Sequence, residues 1–313
     1  MKTKLTETQF TTAPDFASRL FSRITCVGAV ILICATASAQ NLFVSGSDAR
    51  GGTIFKFTWD AKQGIFATGL TAPLDLAFDS TGNLFVVDYD CGGVFCGAKI
   101  YKITPSGGRA MFASRLNYPS YLATDNSGNL FVADYNKDII YKYKPDGSRA
   151  TLASGLHHPI AMAFDSVGNL FVVDNSISNI YQGSIYEYKA DGSRAVFAVL
   201  DPSDRPADLA FDSMGNLYMA DLGGNIYKYD LGGVLRRQGI RTTFGSVPHS
   251  AESLVFDNAG NLFVVDAGDP NLKGNAIYKF TQQGARSAFV SGNALRETFS
   301  HVAFEPMLPV CCQ

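Results

Sequence analysis

Apolar and polar residues along this chain alternate with the short period of β-strands. In "LDLAFD" the alternation places Leu76 and Phe78 on one face and Asp75, Ala77 and Asp79 on the other, as a half-buried strand requires. After the turn "STGN", the run "NLFVVD" is apolar on both faces, which suits a strand enclosed within a stack. "KIYKIT" alternates again, and "PSGG" then turns the chain into a fourth run, "RAMFASRL". Few helix-like periods compete with this pattern.

The four-run unit recurs. The asparagine of "NL[FY]" stands at Asn41, Asn83, Asn129, Asn169, Asn216 and Asn261, at separations of 42, 46, 40, 47 and 45 residues. A period of this size with four strands per unit predicts an all-β fold, a six-bladed β-propeller of antiparallel four-stranded blades. The first copy lacks an "AFD" phrase, and "HVAFEP", from His301 to Pro306, supplies it at the other end with Glu305 in the aspartate's place. The C-terminal strand, through Val302 to Glu305, is therefore expected to complete the first blade and close the ring, leaving no open edge. The propeller should occupy residues 40–306, followed by a short tail over 307–313.

The first 39 residues break the pattern. A basic start leads into "ITCVGAVILICATASAQ", and "ASA" before Gln40 has the small residues of an export cleavage site. The apolar stretch is short for a membrane span. The expectation is an export signal over 1–39 and a secreted or periplasmic product with no stable membrane span. Removing Lys2, Lys4, Arg19, Arg23, Glu7 and Asp15 with the signal leaves 22 basic and 26 acidic residues, a formal charge of about −4. That balance argues against a nucleic-acid surface, which normally shows a basic stripe.

Export makes disulfides chemically accessible, and Cys91 and Cys96 in "CGGVFC" are the candidate pair, with free or differently paired thiols as the alternative. Cys311 and Cys312 are adjacent and poorly placed to pair with each other. The repeated aspartates Asp79, Asp125, Asp165, Asp212 and Asp257 each precede a turn containing glycine, where a carboxylate can accept backbone N–H groups. Their spacing lacks the ligand pattern of a calcium loop. Asp88, Asp134, Asp174, Asp221 and Asp266 end the second strands, where a scaffold role bonding the exit loops is favoured over a cation-binding ring.

The phrase P-x-x-[LM]-A-[FT]-D-x-x-G-N-L-[FY]-V-x-D, followed by "IYKY" and "DG", resembles the NHL-repeat family of β-propellers over nearly all of Asn41 to Pro306. The resemblance implies the fold. Functions among similar proteins divide among ligand or protein binding, calcium-dependent lactone hydrolysis in gluconolactonase-like enzymes, and metal-dependent lyase activity in the peptidylglycine-amidating group.

The loops joining second to third strands, and fourth strands to the next blade, share one face, where propeller sites usually sit. All four histidines, His157, His158, His249 and His301, fall in or beside the inter-blade loops. His158, His249 and His301 come from three non-adjacent entrances and form a candidate zinc set, and the amidating lyases are similar in drawing histidines from separate blades. Aligned on Leu76, the inner strands offer a ring of Asp75, Tyr121, Ala161, Asp208, Ser253 and His301 whose chemistry varies between blades, as an asymmetric ligand would need. Asp75, Asp208 and Glu252 approximate a calcium-dependent hydrolase set, although "NLFVSGSDARGG" has no match to that family's early acidic ligand. No Ser-His-Asp order, nucleophile elbow or phosphate loop is visible.

Aromatic residues mostly occupy regular strand positions and read as core, with Tyr89, Tyr118, Tyr135 and Tyr181 looser and free to face a ligand. The favoured function is a binding scaffold without a cofactor, holding an extracytoplasmic protein or peptide, a glycan or a small metabolite near Asp75, Tyr121, Asp208, Ser253 and His301. The alternative is a hydrolase or lyase using Ca²⁺ or Zn²⁺ in the central channel.

Overall fold

In the computed structural model the described residues are 40–48, 51–90, 97–175, 183–230, 240–268, 275–291 and 298–307. The expected signal, the Cys91–Cys96 pair, Tyr181, Cys311 and Cys312 lie outside them. No helix among the described residues is long and apolar enough to cross a membrane.

The described strands form six four-stranded antiparallel sheets, each ordered from its first strand to its fourth. Every first strand lies against the first strand of the next blade, and Thr298–Phe304 lies against Pro73–Phe78, so the ring is complete. The protein is a six-bladed β-propeller. Blade 1 combines Thr298–Phe304 with Leu42–Asp48, Gly51–Phe57 and Gln63–Leu70, in the register Leu42 to Phe304 and Val44 to Val302. Blades 2 to 6 follow over 73–116, 119–154, 159–199, 206–246 and 251–290.

The doubly apolar runs are buried from end to end, as in Leu130–Asp134, Leu170–Asp174 and Leu262–Asp266. Each large apolar side chain removed from water there contributes roughly 1.5–3 kcal/mol before chain entropy is counted.

The repeat phrase also joins the blades. The aromatic residue of "NL[FY]" meets the phenylalanine of the next blade's "AFD" edge-on: Phe43 with Phe78, Phe131 with Phe164, Phe171 with Phe211, Tyr218 with Phe256 and Phe263 with Phe304, at centroid separations of 4.8 to 5.1 Å. Such ring pairs add roughly 0.5–1.5 kcal/mol beyond the area they bury. At the joint between blades 2 and 3 the partner is Thr124, whose hydroxyl donates to the Phe78 carbonyl at 2.6 Å.

The "AFD" aspartates close their turns as expected. Asp79 Oδ1 accepts the Thr81 and Asn83 N–H groups at 3.0 and 2.9 Å, while Oδ2 accepts the Asn83 side-chain amide at 2.8 Å. The pairs Asp125–Asn129, Asp165–Asn169, Asp212–Asn216 and Asp257–Asn261 repeat the arrangement. Gly82 holds φ +83° in this turn, a conformation that explains the recurrent glycine.

Candidate functional site at the loop face

The second-strand aspartates fix the loop face. Asp88 Oδ1 accepts the Thr71 and Ala72 N–H groups, both at 2.9 Å. Asp134 accepts from Asn117 at 3.0 Å, Asp174 from His157 at 2.6 Å, Asp221 from Arg205 at 2.6 Å and Asp266 from Ser250 at 3.0 Å. Their main partners thus lie in the loop entering the blade, not in the exit loop where they were expected. Asp221 and Asp266 bond the exit loop as well, through Gly223 and Gly268. Entrance and exit loops are tied directly too: the Tyr89, Tyr135 and Leu222 N–H groups donate to the Ala72, Tyr118 and Arg205 carbonyls.

The inner ring stitches blades together beneath these loops. Asp75, 3% exposed, accepts the Leu76 N–H at 2.8 Å with one oxygen and the Leu122 N–H of the next blade at 2.5 Å with the other. Asp208, 1% exposed, does the same with Leu209 at 2.6 Å and Leu254 at 2.8 Å. The Ser253 hydroxyl donates to Asp208 at 2.8 Å and accepts the Val302 N–H at 3.3 Å, linking blades 5, 6 and 1. Ser45 accepts the His301 N–H at 3.0 Å and donates to the Leu74 carbonyl at 2.7 Å, which carries the link on to blade 2. Tyr121 of blade 3 and His301 of blade 1 meet edge-on at 5.9 Å.

Burial governs the ionisation of this ring. It pushes the Asp208 carboxyl up to about 7 against the pull of its backbone and Ser253 bonds. Asp75 is raised well above the usual carboxylate range, first by burial and then by the charge of Asp208. Burial lowers His301 to about 4, so its ring is neutral at physiological pH, and its enclosed Nδ1 has no hydrogen-bond partner among the described residues. Glu252, above the ring, is pushed up to about 7 by burial and by Asp266.

The ring residues Asp75, Tyr121, Asp208, Ser253 and His301 are therefore gathered around one axis, with both carboxylates committed to backbone N–H groups. The zinc set is not gathered. The His158 ring stacks on Tyr135 at 4.3 Å and its Nδ1 lies 3.2 Å from the Tyr135 carbonyl. His249 Nδ1 lies 3.2 Å from Asp266 Oδ2, and His301 lies against Tyr121. His158 is held by the exit segment of blade 3, His249 by the second-strand aspartate of blade 6 and His301 by the ring below, and among the described residues no three His, Cys, Asp or Glu side chains form a metal-holding group. The same observation applies to Asp75, Asp208 and Glu252 as a calcium set.

Three of the four tyrosines singled out in the sequence do converge. Tyr89, Tyr118, Tyr135 and His158 form a continuous row across the loops of blades 2, 3 and 4, with successive centroid separations of 5.0, 5.7 and 4.3 Å. Tyr89 is buried and donates its hydroxyl to the Pro119 carbonyl at 2.7 Å. Tyr118 is 48% exposed, and Tyr135 and His158 are half-buried.

Comparison with known proteins places this geometry among propellers. A family described as strictosidine synthase-like, N-terminal, matches residues 193–229, within blades 4 and 5. No curated protein matches the chain. The fold is similar to TolB from Acinetobacter baumannii, with 12% identity, a TM-score of 0.67 and coverage of 85% of this chain and 67% of that one. It is also similar to a gluconolactonase from Xanthomonas campestris, with 21% identity, a TM-score of 0.54 and coverage of 71% and 78%. Virginiamycin B lyase from Staphylococcus aureus shares 14% identity, with a TM-score of 0.56 and coverage of 80% and 84%. At these identities the likeness is one of fold.

Proposed function

We propose that this chain is an exported, NHL-repeat-type propeller that acts as a binding module, holding a peptide, glycan or small metabolite over the channel mouth on the loop face. The observation that carries the reading is a contrast between the two faces. The turn face repeats one Asx turn in blade after blade, whereas entrance and exit positions on the loop face read Ala72, Tyr89, Tyr118, Tyr135, His158 and Arg205 in succession. Specificity needs contacts that differ between ligands, and an invariant ring of turns offers few. Asp75, Tyr121, Asp208, Ser253 and His301 form the floor beneath the ligand. Hydrogen-exchange mapping of the secreted protein with its ligand tests this: protection should centre on the mouth, and protection confined to Gly82, Gly128, Gly168 and Gly215 would sink the reading.

The second reading, a metal-dependent lactonase or lyase, has one local observation in its favour. His249 is oriented by Asp266, and Glu252 beside them holds its proton near neutrality, a combination suited to acid–base work. Elemental analysis separates the two. Stoichiometric zinc lost from a His158, His249 and His301 triple alanine variant, or calcium dependent on Asp75 and Asp208, would favour the enzyme.

A further inference from the structure

The aromatic row is not something the propeller needs. The exit position after the second-strand aspartate is Tyr89 in blade 2 and Tyr135 in blade 3, but Asn175, Leu222 and Ala267 in the next three. The position entering the blade is Tyr118 and His158 for blades 3 and 4, but Ala72, Arg205 and Ser250 elsewhere. The same hydrogen bonds between entrance and exit loops form with and without the rings, so the rings are an addition to a frame that closes without them.

The backbone beneath the row is strained. Among the described residues five non-glycine residues have positive φ, and four of them, Arg115 (φ 61°), Tyr118 (φ 73°), Asp138 (φ 59°) and His158 (φ 58°), lie along this arc. Tyr118 and His158 each precede a proline, which biases a residue toward extended conformations, and Tyr has no side-chain reason to favour the left-handed region. Strain of this kind persists where the surroundings over-determine it and clusters at functional sites. Here it turns the Tyr118 and His158 rings into line with Tyr89 and Tyr135.

Charge selects the ligand class. Two ion pairs border the row, Lys99 with Asp90 at 3.0 Å and Lys137 with Asp134 at 3.7 Å. Exposed Arg115 and half-buried Asp138, on the same arc, carry opposite charges, so among the described residues no net charge of either sign is left there to recruit a phosphorylated, sulfated or strongly cationic ligand. Since the Tyr135 carbonyl can only accept, Nδ1 of His158 carries the hydrogen toward it, which leaves Nε2 as the acceptor in the uncharged tautomer. The surface is thus a series of tilted aromatic faces edged by hydrogen-bonding groups of balanced charge.

We propose that Tyr118, Tyr135 and His158 form a subsite for a neutral oligosaccharide. The C–H faces of its sugar rings lie on the exposed faces of Tyr118 and Tyr135, and a hydroxyl donates to His158 Nε2. The row follows three blades, which suits a chain of sugars better than a single one. This rests on the loop-face binding reading above and narrows its ligand class.

The test uses the mature secreted protein and isothermal titration calorimetry with cello-, xylo-, malto- and chito-oligosaccharides, alongside a sulfated oligosaccharide and a lysine-rich peptide. At least one neutral series should bind, with Tyr118→Ala and Tyr135→Ala each weakening it by about tenfold or more. Tyr118→Phe should stay within about threefold of the parent, and Trp59→Ala, in a hairpin turn away from the row, should bind like it. Any alanine variant with a lowered melting temperature is replaced by Tyr118→Leu, which keeps apolar bulk and removes the ring. Binding of no neutral series, or binding indifferent to both tyrosines, overturns the oligosaccharide inference. If the sulfated sugar or the peptide then protects the mouth in hydrogen exchange, the loop-face reading survives without it; protection confined to the turn face sinks both.

Discussion

Glu305 and Asn41, 264 residues apart, reproduce between the two ends of the propeller the contact that Asp79 and Asn83 make within a single turn. Glu305 accepts both the Asn41 backbone N–H and its side-chain amide, through Oε1 alone where an "AFD" aspartate divides them between its two oxygens. Lys56 lies 3.8 Å from Glu305, as Lys102 lies 3.5 Å from Asp79. Where the chain is broken the motif is rebuilt with a longer acid, because no covalent turn holds the two strands in register. We predict that Glu305→Ala costs about 1–2 kcal/mol and that Glu305→Asp, which keeps the charge but shortens the reach, costs nearly as much. Deleting 300–313 should abolish cooperative melting by removing the inner strand of blade 1. A truncated chain that melts like the full one would show that the closing strand carries no stability.

A second prediction concerns the arginine that opens several fourth strands. Arg241 holds Asp204, which is 2% exposed on its side chain, through Nη1–Oδ2 and Nη2–Oδ1 contacts of 2.5 and 2.8 Å, while its guanidinium lies 3.4 Å from the Tyr227 ring centre. Arg241→Ala leaves that carboxylate buried without its cation and should cost about 2–4 kcal/mol in urea unfolding. Arg241→Lys should recover less than half, since an ammonium cannot grip both oxygens and stack at once. Arg109 and Arg286 bond carbonyls of the preceding blade with exposed geometry and should cost well under half as much.

The architecture was legible because it is periodic: the asparagine beat, the alternating strands and the displaced "AFE" phrase specify blade number and closure before any coordinate is known. The Asx turns were legible because all their partners lie within four residues. The inner ring was legible as a set of positions but not as a set of bonds. Asp75 finds Leu122 and Asp208 finds Leu254 across blade joints 47 and 46 residues away, and nothing local in either sequence marks the partner. The aromatic row lies between these cases. Tyr89, Tyr118 and Tyr135 stand out as loop aromatics, but exit and entrance positions alternate around the mouth only once the entrance loops are known to bond the second-strand aspartates. The histidines show the same limit, since three entrances suggested one metal while the rings are held separately, by Tyr135, Asp266 and Tyr121, partners that local sequence does not mark.

Metal dependence offers a third test. Because no three His, Cys, Asp or Glu side chains among the described residues converge on one point, we predict that dialysis against a chelator shifts the melting temperature of the protein by less than about 2 °C. Added Ca²⁺ or Zn²⁺ should not reverse any shift seen. A larger loss restored by one stoichiometric ion would move the balance to the hydrolase or lyase reading.

The buried ring predicts an unusual pH profile. Asp208 titrates near 3.8 when unfolded and near 7 when folded, so between those values the folded chain retains a proton that the unfolded chain has released. Stability therefore falls as pH rises through that window and levels above about 7, at up to about 1.4 kcal/mol per pH unit for one group. Glu252, displaced from 4.5 to about 7, and Asp75, held well above the usual carboxylate range by burial, act in the same direction. His301 opposes both: it falls from 6.5 to about 4, so between about pH 4 and 6.5 the unfolded chain holds the extra proton and stability rises with pH. The net expectation is a decline from pH 4.5 that steepens above 6.5, where His301 no longer opposes it. His301→Gln removes the opposing contribution and should make the decline steeper from pH 4.5 upward, whereas Asp208→Asn should lessen it at some cost in overall stability, because one amide oxygen cannot serve both Leu209 and Leu254. Urea midpoints measured from pH 4 to 8 for the parent and both variants decide the matter. A parent profile that rises steadily to pH 7, or one that neither substitution alters, would show that these groups titrate alike in the folded and unfolded chains.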